Sequence, residues 1–127
     1  VGNNMLIFSA YYGRYTFWDL EAGAVGVMTA TPTPEYVVEM YKSYFNGDRD
    51  RARDIFYYMM PIINFYNEKT LAVKKEILAQ RGVIKSSRMK NPQQELTEDE
   101  KTQLRELLNW VEKQIEKNLG TRPLRFL

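Results

Sequence analysis

Two apolar runs near the start of the chain, joined by one helix-length segment, limit this sequence more than any other feature. Met5-Leu6-Ile7-Phe8-Ser9-Ala10 is short and almost continuously apolar, the pattern of a strand buried on both faces. Gly13 follows its end. Arg14 to Ala22 then carries Tyr15, Trp18, Asp19 and Ala22 at helical spacing, with Gly23 placed to cap the helix. Ala24-Val25-Gly26-Val27-Met28 reads as a second buried strand. A strand, a crossover helix and a strand make a βαβ unit, so the two strands are expected to run parallel. Two such strands do not form a stable sheet alone and need neighbours.

Beyond them the pattern turns helical. Thr31-Pro32-Thr33-Pro34 is a rigid entry, with Pro34 tolerated in a first helical turn. The helix after it carries Val37, Val38, Met40, Tyr41, Tyr44 and Phe45 and stops near Asn46-Gly47. Asp48 is placed to cap a third helix through Ala52, Ile55, Phe56, Met59, Met60 and Ile63, which Pro61 should kink or divide. A fourth helix is expected from about Lys69 to Gln80, ending at Gly82, with loop from Val83 to Leu96. Thr97-Glu98-Asp99-Glu100 has the spacing of a capping box and opens an amphipathic helix through Leu104, Leu107, Leu108, Val111 and Ile115. Gly120 and Pro123 should end it.

Composition removes several kinds of chemistry. The chain has no Cys and no His, so Ser-His-Asp and Cys-His nucleophile systems, thiol redox chemistry and ordinary zinc sites cannot be built within it. A net charge of +2, with signs interspersed as in Asp48-Arg49-Asp50-Arg51, offers no basic stripe for nucleic acid. No apolar run reaches the ~18 residues that suggest a membrane span. Asn46, Asp48 and Asp50 briefly suggest a calcium loop, but Arg51 stands at the position that needs Gly and Tyr57 where Glu is required. The expectation is a cytoplasmic protein with no metal and no cofactor. At 127 residues the chain is well short of the roughly 250 of a whole (β/α)8-barrel. It opens on Val1 and runs almost at once into a strand, as a segment of something longer would, or a processed terminus.

Several motifs, taken in order, resemble the dihydrodipicolinate synthase and N-acetylneuraminate lyase family. Ser9-Ala10, the helix to Gly23 and the Gly23-Ala24-Val25-Gly26-Val27-Met28 strand look like that family's seventh and eighth βα units. Asn46-Gly47-Asp48 with Ala52 resembles its turn before the appended helices. Leu71 to Leu78 with Lys74, then Arg81-Gly82-Val83, resembles its "K…G" segment, and Arg88, Pro92 and Leu96 loosely fit the pattern before its final helix. The resemblance runs from about Met5 to Ile115. It implies an α/β fold: the C-terminal portion of a (β/α)8 TIM barrel, with about two parallel strands, plus a predominantly helical C-terminal extension. Residues 1–47 would be the last two βα units and 48–127 the extension.

The resemblance also implies chemistry. The family condenses or cleaves 2-oxo acids, typically pyruvate, through an imine on a lysine ending its sixth strand, and is usually a homotetramer. That lysine and its partners would lie upstream, so no catalytic residue is expected here. Ser9 and Ala10 fall at the small-residue site ending the seventh strand, where Gly is common and Ala10 is a departure. Met28 falls where an aliphatic residue touches substrate, and Thr29 takes the place of a Ser. Tyr11, Tyr12 and Arg14, with Tyr15, would stand at the barrel mouth, shaping specificity or packing against a neighbour. Lys74 is set aside as an imine lysine, because Lys74-Lys75-Glu76 is a charged stretch that should stay hydrated. The expected partners are a small 2-oxo acid and the remainder of the barrel or another copy of the chain. The alternative is a non-catalytic helical module for interaction or oligomerisation.

Overall fold

The computed structural model describes residues 5–29, 31–65 and 69–120. They group into two compact units, residues 1–57 and 58–127, each taken by itself below. The boundary placed at 47/48 from the sequence falls in the turn that follows the second long helix.

The first unit begins with the expected βαβ element. Strand β1 is Phe8–Ser9 and strand β2 is Gly26–Val27, paired in parallel with Phe8 opposite Gly26 and Ser9 opposite Val27. Both strands are shorter than the apolar runs that mark them. Backbone bonds extend the ladder at each end, from Val25 N–H to Ile7 O at 2.9 Å and from Met28 N–H to Ser9 O at 2.7 Å. The helix expected over Arg14 to Ala22 is present between them, one or two residues shorter at each end. A 3-10 turn, Tyr11–Gly13, comes first, and helix α1 covers only Thr16–Glu21. Gly23 follows the helix with φ +98°, a left-handed geometry that glycine adopts without steric cost.

Helix α2, Pro34–Phe45, starts with its proline in the first turn, where a missing N–H costs nothing. Tyr41 Oη donates to Val25 O at 3.0 Å and Tyr44 Oη to Leu20 O at 3.2 Å, tying α2 to the chain before β2 and to α1. Phe17 is fully buried and meets Trp18, Tyr44 and Phe56 edge-on or tilted, at 5.1 to 6.2 Å between ring centres. Asp48 caps the following helix as expected, accepting from Arg51 N–H at 3.1 Å.

That helix, α3 (Arg49–Asn64), carries the chain from the first unit into the second. Pro61 does not divide it, contrary to expectation. The proline removes one backbone donor only three residues before the helix ends, while Ile62 and Ile63 beside it are buried and hold the last turn. Helix α4 is Thr70–Gln80 and α5 is Glu98–Leu119, and they pack on each other. Leu104, Leu108, Val111 and Ile115 form the buried stripe of α5 at helical spacing. Its start is the capping box seen in the sequence, and Gly120 ends it at φ +65°. The intervening Val83–Leu96 segment has one 3-10 turn, Pro92–Gln94, and is otherwise irregular.

Candidate functional site at the strand ends

Because β1 and β2 run parallel, their C-terminal ends open on the same edge, where α/β folds place their ligand sites. Ser9, Ala10, the Tyr11–Gly13 turn, Met28 and Thr29 all fall there. Every residue expected to line a site is therefore brought to one edge, but they present themselves very differently.

Ser9 is buried and its side chain is turned to α1. Its Oγ lies 2.6 Å from Asp19 Oδ2 and 3.3 Å from Thr16 Oγ1. A serine has one proton to give, and an ionised carboxylate only accepts. The Ser9 hydroxyl is the donor towards both, and the closer Asp19 carboxylate is its main acceptor. Ala10 and Met28 are exposed, Met28 by 71%. Thr29 is half-buried, and its Oγ1 is covered without a hydrogen-bond partner among the described residues. A covered hydroxyl left unbonded costs roughly 1–3 kcal/mol.

Tyr11 and Tyr12 have φ of +58° and +62°. For bulky side chains this left-handed region is strained, by roughly 1–2 kcal/mol each. Nothing in the sequence announced it beyond the Gly13 that follows. The turn sets Tyr11 near Tyr15, with rings 6.1 Å apart and 17° from parallel, while Tyr12 tilts against Tyr11 at 5.7 Å. The Arg14 guanidinium lies over the Tyr11 ring, 5.5 Å from its centre. Such stacking leaves the in-plane N–H groups of an arginine pointing sideways. Tyr11 and Tyr15 keep over half of their surface exposed.

No lysine occurs in residues 1–41, so no imine can form on these strand ends. Lys74 lies on α4 in the second unit, and its surroundings correct the expectation of full hydration. Glu76 is buried, accepting from Ser87 Oγ at 2.5 Å and Gln80 Nε2 at 2.9 Å, and burial lowers the Lys74 pKa below the ordinary lysine value. Among the described residues no cluster of carboxylates is arranged to hold a metal ion. No helix there is long and apolar enough to cross a membrane.

A parallel βαβ element followed by a helical extension is a piece of an α/β fold, either a doubly wound sheet or a (β/α)8-barrel. Comparison with known proteins identifies which one. The profile of the Dihydrodipicolinate synthetase family matches residues 1–111, and the chain belongs to that family. It is 34% identical over 88 residues to 4-hydroxy-tetrahydrodipicolinate synthase of Methanopyrus kandleri, covering 68% of this chain and 29% of that protein. It is 31% identical over 87 residues to L-2-keto-3-deoxyarabonate dehydratase of Azospirillum brasilense, covering 68% and 28%. The crystal structure of dihydrodipicolinate synthase from Rhodopseudomonas palustris superposes with a TM-score of 0.77 at 28% identity, over 84% of this chain and 36% of that one. The chain thus spans less than a third of the length of these curated relatives, and its fold is that of the C-terminal part of the barrel with its helical extension.

Proposed function

We propose that the chain is the C-terminal part of a lyase or synthase acting on pyruvate or another 2-oxo acid through a lysine imine. The imine lysine lies outside residues 1–127. The observation that carries this reading is the family match over residues 1–111 together with a parallel strand pair whose apolar residues are left open. Met5, Leu6, Phe8 and Met28 expose 54 to 71% of their surface, far more than suits strand residues in a parallel sheet. Neighbouring barrel strands are the natural cover for them. The relative from Azospirillum brasilense, by its name a dehydratase of the 2-oxo acid L-2-keto-3-deoxyarabonate, supports this substrate class.

In such a reaction the lysine amine adds to the substrate C2 carbonyl and water leaves, giving an imine that draws electrons from C3. Residues of this chain do not take part in that step. Thr29 lines the substrate with its unmet hydroxyl, Met28 and Ala10 shape the wall, and Tyr11, Tyr12 and Arg14 stand at the mouth. The complete protein is a homo-oligomer in the cytoplasm.

Pyruvate with borohydride tests this. The complete protein should gain one reduced pyruvate adduct, on a lysine outside residues 1–127, while the 127-residue chain keeps its mass. An adduct on any lysine within the chain would overturn the assignment of its strands.

A further inference from the structure

The Tyr11–Tyr12 turn poses a question that the family reading does not answer. Two consecutive tyrosines in the left-handed region persist only where the surroundings hold them there. At the close of the turn Arg14 N–H donates to Tyr11 O at 3.2 Å. The firmer ties lie on either side. Before the turn, Ser9 is fixed to β2 by its carbonyl, which accepts Met28 N–H, and to α1 by its hydroxyl, which donates to Asp19. After the turn, Tyr15 is fixed by its own carbonyl, which accepts Asp19 N–H at 2.9 Å. Asp19 therefore grips both ends of the Ala10–Arg14 segment at once, with its carboxylate on one side and its backbone on the other.

We infer that Asp19 is a positioning residue: through Ser9 it holds the strained Tyr11–Tyr12 turn, and so sets where the Tyr11, Tyr12 and Arg14 side chains stand. The Ser9–Asp19 bond ties together residues ten positions apart, with Thr16 Oγ1 a second, longer acceptor for the Ser9 hydroxyl. Loss of the carboxylate frees one end of that loop. The turn can then relax to ordinary φ values, which moves Tyr11 away from Tyr15 and Arg14. The consequence for catalysis rests on the reading given above. Imine formation at the lysine is untouched, whereas recognition of the part of the substrate that reaches the mouth weakens.

The test uses Asp19→Ala, Asp19→Asn and Ser9→Ala in the complete protein, with two readouts. The first is exchange of the Arg14 amide, which reports the turn whatever the protein catalyses. Asp19→Ala and Ser9→Ala should each speed it by roughly tenfold, the double variant no further, and Asp19→Asn should restore most of the protection because its amide oxygen still accepts from Ser9. The second is steady-state kinetics. KM for a 2-oxo acid long enough to reach the mouth should rise by roughly tenfold in Asp19→Ala, with pyruvate trapping by borohydride at the wild-type rate. Unchanged Arg14 exchange, equal loss in Asp19→Asn and Asp19→Ala, or loss of protection spread evenly over the whole unit would overturn the inference. Failure of pyruvate trapping in the unmodified protein would instead overturn the imine reading and leave the exchange result standing.

Discussion

Removing the cap of α5 should loosen the second unit by a predictable amount. Thr97 Oγ1 accepts from Glu100 N–H at 3.2 Å, and Glu100 Oε2 accepts from Thr97 N–H at 2.7 Å. The same carboxylate meets Lys69 Nζ at 2.9 and 3.1 Å, and Lys69 also reaches Glu95 O, so the box is tied to the residue that opens α4. Thr97→Ala loses the cap and should cost about 1 kcal/mol. Glu100→Ala loses the reciprocal bond, the ion pair and a favourable charge at a helix N-terminus. The pair is about one-third exposed on each side, so screening keeps its share small and the whole near 2 kcal/mol. With urea slopes of about 1–3 kcal/mol per molar, the midpoints should fall by roughly 0.5 M for Thr97→Ala and 1 M for Glu100→Ala. Far-UV circular dichroism reads both.

The pH dependence sharpens this test. The Thr97 backbone bond, then Lys69, hold the Glu100 carboxyl below its ordinary 4.5. A lowered native pKa stabilises the fold fully above the unfolded value, and that stabilisation is lost as pH falls through the lowered one. Glu100→Gln keeps an acceptor for Thr97 but cannot titrate, so its deficit should be present at pH 7 and shrink as pH drops below about 4.5. A constant deficit across that window, or Thr97→Ala indistinguishable from wild type, would refute the assignment of the box as a stabilising unit.

Two further substitutions follow from packing. A Cβ on Gly26 would stand 2.6 Å from Phe8 Cε1, so Gly26→Ala must turn the ring aside. Phe8 is half-exposed and can move, which puts the cost near 1 kcal/mol; urea melts should show it vanish in a Phe8→Ala background, and persistence there would contradict the contact. Leu104 is fully buried on α5, and Leu104→Ala should cost about 2–5 kcal/mol by the same measurement, whereas a loss under 1 kcal/mol would mean the stripe is not core.

What could be read from sequence divides along a physical line. Helix limits set by local chemistry were legible: the Thr97 box, the Asp48 cap, Pro34 in a first turn and the left-handed Gly23 and Gly120 all act within a few residues. The parallel pairing was legible too, because a helix-length crossover between two strands returns the chain to the end of the sheet where it began. What failed depends on groups far apart in sequence. Pro61 was expected to kink or divide a helix on local grounds, and the helix is not divided there. The Lys74-Lys75-Glu76 charges looked solvated until Ser87 and Gln80 were seen to bury the glutamate.

Ser9 shows why a site is harder to read than a fold. Its position at the end of β1 follows from the apolar run, and its small size suits a crowded strand end. Its direction does not follow, because an alternation of two faces gives no sign of which face carries the helix when both are apolar. Asp19, ten residues on, decides it: the distance of 2.6 Å between Ser9 Oγ and its carboxylate turns the hydroxyl towards α1, beside a pair of tyrosines whose positive φ no local pattern announces.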